Sequence, residues 1–144
     1  MARLLFCGLF DRHPNLKIIV HHLGGMVPHF GGRVGGGLDQ LGKRTDDGDD
    51  TGARSQLQKR PIEYFKMFYG DTALFGPAMP IECGLDFFGV DHVLFGTDMP
   101  FDPEGGPGFV RDTIAAVDKI RVTDTEREQI YEGNARRMLR LNLS

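Results

Sequence analysis

Cysteine is scarce in this sequence, and its placement excludes two classes of small protein. Cys7 and Cys83 are the only cysteines among 144 residues, and neither belongs to a CxxC pair or has a paired histidine. A disulfide framework and a cysteine-based zinc knuckle both need such pairs. We therefore expect reduced thiols and a cytoplasmic location.

Neither sign of charge dominates, and long apolar runs are missing. The 17 Lys+Arg residues stand against 20 Asp+Glu residues, a formal net charge of -3. That balance gives no general attraction to nucleic acid or to anionic lipid. No apolar run approaches the roughly 18 residues that a membrane-spanning helix needs. We expect a soluble protein with neither nucleic acid nor a membrane as its partner.

Glycine, in contrast, is abundant at 20 of 144 residues, which predicts many tight turns. Hydrophobic residues make up 40% of the chain and phenylalanine occurs 11 times, so the chain can build a packed core. The length suits one domain. It falls short of the roughly 200–250 residues of a complete eight-stranded α/β barrel.

Apolar runs that end in polar residues alternate with segments of helical periodicity. The short runs predict strands at residues 16–22, 66–72 and 92–98. Apolar positions spaced every three or four residues predict helices at residues 3–10, 26–41, 77–88, 109–120 and 124–141. Thr123 and Glu126 form the capping-box pair that opens the last of these helices. The alternation is typical of a parallel α/β sheet with right-handed crossovers.

Residues 42–55 interrupt this pattern. They are acidic, contain glycine and lack periodicity, which predicts an exposed loop and an internal boundary. A parallel sheet of only three strands would also leave unpaired backbone groups at both edges. We therefore expect the chain to be part of a larger protein. On its own, it should self-associate or bind the complementary fragment of that protein.

Polar side chains follow each predicted strand at its carboxyl end. They are His21-His22, Asp71-Thr72 and Thr97-Asp98. Catalytic groups of parallel α/β proteins collect at this edge. Strand alternation would send the two adjacent histidines to opposite faces, so at most one of them enters a shared pocket. The alternatives are a hydrogen-bonded core or interface histidine, and an Asp71 that caps the following helix.

Four segments together resemble a known family. They are FDRHPNLKIIVHHLGGMVPHFGGRV at 10–34, FYGDTALFG at 68–76, DHVLFGTDMPFD at 91–102 and GNARRML at 133–139. They are similar to the carboxyl-terminal part of amidohydrolase-related enzymes of the aminocarboxymuconate-semialdehyde decarboxylase type. The resemblance implies a divalent-metal enzyme, commonly zinc-dependent, with an α/β fold. Residues 1–144 would then be the carboxyl-terminal part of a TIM (β/α)8 barrel, and the three strands would be strands six to eight.

The resemblance also implies roles for three residues. His22 falls on the family's active-site histidine, and Asp98 on the aspartate that closes the metal site after the last strand. Arg33 matches an arginine that binds a substrate carboxylate, sometimes across the interface of a homo-oligomer; a solvated helix arginine is the alternative. A carboxylate beside a metal is held ionised and accepts a proton from metal-bound water, and a neutral imidazole shuttles that proton.

The sequence departs from the family in its metal ligands. The family's first strand carries a His-Xaa-His pair and its fifth strand a further histidine, but no HxH occurs in this chain. A catalytic zinc needs about three protein ligands. We expect the chain alone to bind zinc weakly.

The leading hypothesis from the sequence is a metal-dependent carboxy-lyase, present as a carboxyl-terminal fragment. It would remove carbon dioxide, without oxidation, from a small unsaturated or aromatic carboxylic acid. One alternative is a metal-dependent hydrolase that cleaves a lactone, amide or similar bond. The other is a truncated remnant that folds or associates but has no catalysis on its own. The expected partners are the small carboxylic acid and either further copies of the chain or a complementing amino-terminal barrel portion.

Overall fold

The computed structural model describes residues 1–41, 43 and 56–141. Three parallel strands form one sheet in the order β1-β2-β3, with β1 at Ile19–Val20, β2 at Tyr69–Asp71 and β3 at Val93–Leu94. The predicted parallel α/β sheet is confirmed. The strands are shorter than the predicted segments: residues 66–68 form a turn before β2, and residues 21–24 form a tight turn directly after β1.

Eight α-helices connect and cover these strands in the described part of the chain. They are α1 at Ala2–Phe6, α2 at Leu9–Arg12, α3 at Gly31–Leu38, α4 at Pro61–Phe65, α5 at Ala78–Phe88, α6 at Pro107–Val117, α7 at Asp124–Glu128 and α8 at Asn134–Leu139. A short 3-10 turn at Val90–His92 precedes β3, and a π turn at Gln129–Gly133 joins α7 to α8. None of these helices is long and apolar enough to cross a membrane.

Several predicted helix boundaries were wrong for local backbone reasons. The predicted helix 3–10 is split at Gly8, whose φ of 69° is left-handed. The predicted helix 26–41 begins only at Gly31, because residues 22–25 form a left-handed turn and a loop follows them. The Thr123 capping box is confirmed, since its hydroxyl accepts from the Glu126 N–H at 3.3 Å. The predicted loop at 42–55 lies outside the described residues, apart from Lys43.

The core lies between the sheet and the surrounding helices. Its fully buried side chains include Leu5, Phe10, Leu23, Tyr64, Phe68, Ile81, Val93, Val117 and Ile130. Tyr64 shows how a polar tip is accommodated, because its hydroxyl donates to the Asp11 carboxylate. Burial, together with this carboxylate, raises the pKa of Tyr64. The core thus anchors α2 and α4 against each other.

The π turn fastens the end of the chain to β3. The Ile130 carbonyl accepts from the Phe95 N–H at 2.9 Å, directly after the strand. Asn134, which is fully buried, donates from Nδ2 to the Val90 and Val93 carbonyls at 2.7 and 2.8 Å. These contacts fix the segment that leads to Asp98. At the opposite edge of the sheet, Ile19 of β1 is 45% exposed.

Candidate active site at the carboxyl ends of the strands

The structure brings His22 and Asp98 together at the carboxyl edge of the sheet. His22 follows β1, Asp98 follows β3, and His22 Nε2 lies 3.8 Å from Asp98 Oδ2. The His22 side chain is 44% exposed and that of Asp98 28%, so both groups are open to a bound molecule. The separation is too long for a direct hydrogen bond. It suits two groups that act on the same bound atom from different sides.

The backbone at His22 has a conformation that the sequence did not suggest. The prediction that the strand continues to residue 22 was wrong, because His21–Gly24 forms a tight turn in which His22 has a φ of 53° and Leu23 a φ of 48°. Positive φ is uncommon in residues other than glycine and persists only where surrounding contacts impose it. Leu23 is 1% exposed, so the core holds this turn.

A single contact fixes the tautomer of His22. Its Nδ1 lies 2.6 Å from the Ala73 carbonyl oxygen. A carbonyl can only accept, so Nδ1 carries the hydrogen of the neutral ring. The lone pair of the neutral imidazole is therefore on Nε2, the atom that faces Asp98. That atom can accept a proton or ligate a metal.

His21 lies at the same edge but does not share this arrangement. Its ring centroid is 5.8 Å from that of His22, and its Nδ1 is 3.5 Å from Asp71 Oδ2. The His21 side chain is 81% exposed. Of the two histidines, His22 is thus the one that faces Asp98. The cause is the left-handed turn rather than the strand alternation from which this was predicted.

The loop that carries Asp98 is also tightly turned. Asp98 has a φ of 60°, and its carbonyl accepts from the Phe101 N–H at 3.1 Å. Asp102 orders the rest of the loop by accepting from the Glu104 N–H at 2.7 Å and from the Phe109 N–H at 3.3 Å. Burial alone would raise the pKa of Asp102, but backbone donors between residues 104 and 109 outweigh it and lower that pKa.

An apolar cavity of about 490 Å³ opens beside His22. The apolar side chains that line it are Leu23, Met26, Pro28, Leu74, Met79 and Pro80. Near the same histidine, Phe75 stacks on Phe109 with ring centroids 4.0 Å apart. The Phe75 ring is also 6.0 Å from the His22 ring in an edge-on arrangement. Sequence analysis missed this aromatic pair, because residues 75 and 109 belong to separate loop and helix segments with no shared pattern.

Arg33 lies elsewhere. It is exposed on α3 and lines a different cavity, together with Val27 and Leu38. His22 does not line that cavity, and Arg33 does not line the cavity beside His22. The structure therefore does not bring Arg33 together with the other two predicted site residues within one chain. Its role in binding a carboxylate stays a prediction.

The described residues do not complete a metal site. His22 Nε2 and an Asp98 carboxylate oxygen could each donate to a metal ion. Within residues 1–41, 43 and 56–141, however, no group of three His, Cys, Asp or Glu residues could hold one. The oxygens of the nearby Asp71 already face the His22 and Ala73 N–H groups and the His21 ring. Two donors fall short of the three that a catalytic zinc needs.

Known proteins resemble this chain over nearly its whole length. The family model described as amidohydrolase matches residues 1–141. Gamma-resorcylate decarboxylase of Rhizobium radiobacter is 29% identical over 138 residues, which cover 93% of this chain and 39% of that protein. 2-Amino-3-carboxymuconate-6-semialdehyde decarboxylase of Dictyostelium discoideum is 30% identical over 149 residues, which cover 99% of this chain and 36% of that protein. The chain thus spans about two fifths of the length of these relatives.

A solved structure shows the same partial coverage. The dihydroxybenzoic acid decarboxylase of Polaromonas sp., with bound manganese and the inhibitor 2-nitroresorcinol, superimposes with a TM-score of 0.76 at 25% identity. The match covers 99% of this chain and 39% of that one. Such structural neighbours are amidohydrolase-type TIM barrels. The predicted resemblance to decarboxylases of the aminocarboxymuconate-semialdehyde type is confirmed.

Proposed function

The chain belongs to the amidohydrolase family, and from this premise we propose that it is the carboxyl-terminal portion of a metal-dependent carboxy-lyase. The reaction is non-oxidative decarboxylation of a small aromatic or unsaturated carboxylic acid. The observation that carries the proposal is the His22 Nε2 atom that faces Asp98 across 3.8 Å at the carboxyl edge of the sheet. The two relatives described above are both named as decarboxylases, which supports this reaction over hydrolysis.

Decarboxylation exchanges a carbon–carbon bond for a carbon–hydrogen bond. A proton adds to the carbon that carries the carboxylate, and the electron pair of the breaking bond returns to the conjugated system as carbon dioxide leaves. Nε2 of His22 first takes up a proton from solvent and then delivers it to this carbon, which returns the ring to its neutral form for the next turnover. The Ala73 carbonyl keeps the other ring nitrogen of His22 protonated throughout, so proton exchange takes place at Nε2 alone. Near this atom, Phe75 and Phe109 offer a flat apolar wall for a conjugated substrate.

The proposal includes a larger assembly. We propose that residues 1–144 supply strands six to eight of a TIM barrel, and that the missing metal ligands lie on the rest of the barrel, beyond this chain. Asp98 would be one ligand of a divalent zinc or manganese ion, which would orient the substrate oxygens and keep Asp98 ionised. Arg33, which is exposed on α3 and lines a different cavity from His22, would bind a substrate carboxylate across the interface of a homo-oligomer. A cytoplasmic location stays a prediction.

A segment exchange tests this function. The segment of R. radiobacter gamma-resorcylate decarboxylase that matches this chain is replaced by residues 1–141, so that the relative supplies the remainder of its barrel. The chimera is loaded with manganese or zinc, and carbon dioxide release from gamma-resorcylate and related aromatic acids is measured. We expect release that falls to background in the His22→Ala and Asp98→Asn chimeras. His13→Ala serves as the matched control, because His13 is an exposed histidine directly after α2.

Three results would contradict the proposal. A folded, metal-loaded chimera that releases no carbon dioxide from any of these acids would contradict the proposed carboxy-lyase activity. Hydrolysis of a lactone or amide in place of carbon dioxide release would favour the hydrolase. Near-normal turnover in either site variant would exclude that residue from the mechanism.

A further inference from the structure

We propose that Asp71 is a positioning residue that holds His22 in its left-handed turn and so aims Nε2 at Asp98. The catalytic meaning of this inference rests on the proposed function, but its geometry does not. Asp71 ends β2, its side chain is 15% exposed, and no role follows for it from the proposed proton transfer. The expected alternative, a cap of the next helix, is wrong, because α5 begins at Ala78 with Pro77 as its N-terminal cap.

Asp71 and Ala73 hydrogen-bond to His22, Asp71 at its backbone and Ala73 at its ring. Oδ1 of Asp71 accepts from the His22 N–H at 2.8 Å and from the Ala73 N–H at 3.1 Å. The Ala73 carbonyl in turn accepts from His22 Nδ1 at 2.6 Å. These three hydrogen bonds form a closed network. In it, Oδ1 of Asp71 orients both His22 and Ala73, and Ala73 in turn orients the His22 imidazole. Displacing that oxygen therefore affects the backbone of His22 and its tautomer together.

The turn needs these hydrogen bonds because its backbone conformation is locally unfavourable. Residues 22–25 all have positive φ, and only the last two are glycines. Leu23 is fixed by burial, but the half-exposed His22 has no core packing to impose its φ of 53°. Oδ1 of Asp71 accepts from the His22 N–H at 2.8 Å and so holds the backbone at the residue that lacks other support.

The neighbouring strand leaves room for the Asp71 side chain. A Cβ atom added at Gly96, two residues after β3, would lie 2.9 Å from Asp71 Cβ. Any larger residue at position 96 would therefore displace the Asp71 side chain from its present position. Gly96→Ala thus displaces Asp71 without removing it. Gly36→Ala is the matched control, because a Cβ atom there meets nothing within 4 Å.

The test reads the tautomer of His22 in the 144-residue chain. Histidine side chains are labelled with ¹⁵N, and long-range ¹H–¹⁵N correlations are recorded near pH 8.5, about two pH units above the ordinary pKa of a histidine in a peptide. The His22 signals are assigned by their loss in His22→Ala. We expect the Nδ1–H tautomer in the unmodified chain, in Asp71→Asn, which keeps Oδ1 as an acceptor, and in Gly36→Ala. In Asp71→Ala and Gly96→Ala we expect the ratio of Nδ1–H to Nε2–H to fall about fivefold or more, the effect of one ordinary hydrogen bond.

The same variants in the chimera separate positioning from structural support. We expect kcat for carbon dioxide release to fall about 10- to 100-fold in Asp71→Ala, with KM nearly unchanged, and to recover in Asp71→Asn. An Nε2–H tautomer in the unmodified chain, or an unchanged tautomer in folded Asp71→Ala, would overturn the inference. Asp71→Asn that behaves like Asp71→Ala would overturn it as well, since charge rather than placement would then matter. If Asp71→Ala does not fold, the pair Gly96→Ala and Gly36→Ala decides. An inactive chimera would reject only the proposed function, because the tautomer is read without it.

Discussion

Substituting alanine for glycine should have opposite effects on stability at two helical positions. Gly84 lies in the middle of α5, and Gly36 lies in α3. On helix propensity alone, each substitution stabilises a helix by about 1 kcal/mol. A Cβ atom at Gly84, however, would lie 2.5 Å from Leu23 Cδ1 and 3.0 Å from Leu23 Cβ, whereas at Gly36 it meets nothing within 4 Å. The structure therefore predicts that only Gly36→Ala shows the propensity gain.

The magnitude follows from how little Leu23 can move. Its side chain is 1% exposed, and on its other side a Cβ atom at Gly70 would come within 2.9 Å of Leu23 Cα. Inserting a methyl group into such a packed site costs about 1–3 kcal/mol. After the gain in propensity, we expect Gly84→Ala to lower the free energy of unfolding by about 1 kcal/mol. The two glycine variants should then differ by about 2 kcal/mol.

Urea unfolding followed by circular dichroism measures both variants at one chain concentration. A double-mutant cycle locates the cause. A Leu23→Ala background removes the clash with Cδ1 and leaves only the 3.0 Å approach to Cβ, so Gly84→Ala should regain most of its stabilising effect of about 1 kcal/mol. Gly84→Ala that stabilises the unmodified chain as much as Gly36→Ala does would refute the close packing of Leu23 against α5. So would an equal loss from Gly84→Ala in both backgrounds.

Three further outcomes are expected. Asn134→Ala should lower the free energy of unfolding by about 2–4 kcal/mol in urea titrations, because the Val90 carbonyl and the buried Val93 carbonyl both lose their donor; a loss below about 1 kcal/mol would contradict this. Burial and the Asp118 hydrogen bond raise the pKa of Tyr131 to about 12. This tyrosine therefore stabilises the fold at every pH below its unfolded pKa of about 10, and that contribution is lost as the pH rises from about 10 to about 12. Tyr131→Phe should flatten this part of the pH profile, and an unchanged slope would count against the shift. Calorimetric titration of the chain alone with zinc should give a dissociation constant weaker than about 1 μM, and tight binding to one site would show that the ligand set is misread.

The sequence was a good guide to the sheet and to the edge where the site forms. Three short apolar runs separated by helical segments predict parallel strands, and such strands end at one edge, so the meeting of His22 with Asp98 follows from topology. The short helix α4 was missed, although its signals were present. Pro61 begins it, and the Glu63 carboxylate accepts from the Arg60 N–H at 2.9 Å.

The finer geometry of the site could not be read from the sequence. The run that precedes His22 favours an extended strand, and nothing local favours positive φ at a histidine followed by leucine. The left-handed turn arises from the packing of Leu23 against Gly70 and Gly84 and from hydrogen bonds to residues 71 and 73. The stacking of Phe75 on Phe109 likewise depends on two segments that meet only in the folded chain.

The left-handed turn at His22 has a consequence for the order in which the site is made during synthesis. The carboxylate that holds the turn lies 49 residues later in the chain, and the carbonyl that fixes the ring lies 51 residues later. At about 5–20 residues per second, Asp71 is added roughly 2–10 s after His22. Throughout that interval the histidine is free to sample extended conformations and both tautomers. Nε2 of His22 is oriented toward Asp98 only after β2 has paired with β1. The histidine is therefore synthesised early but reaches its active geometry late.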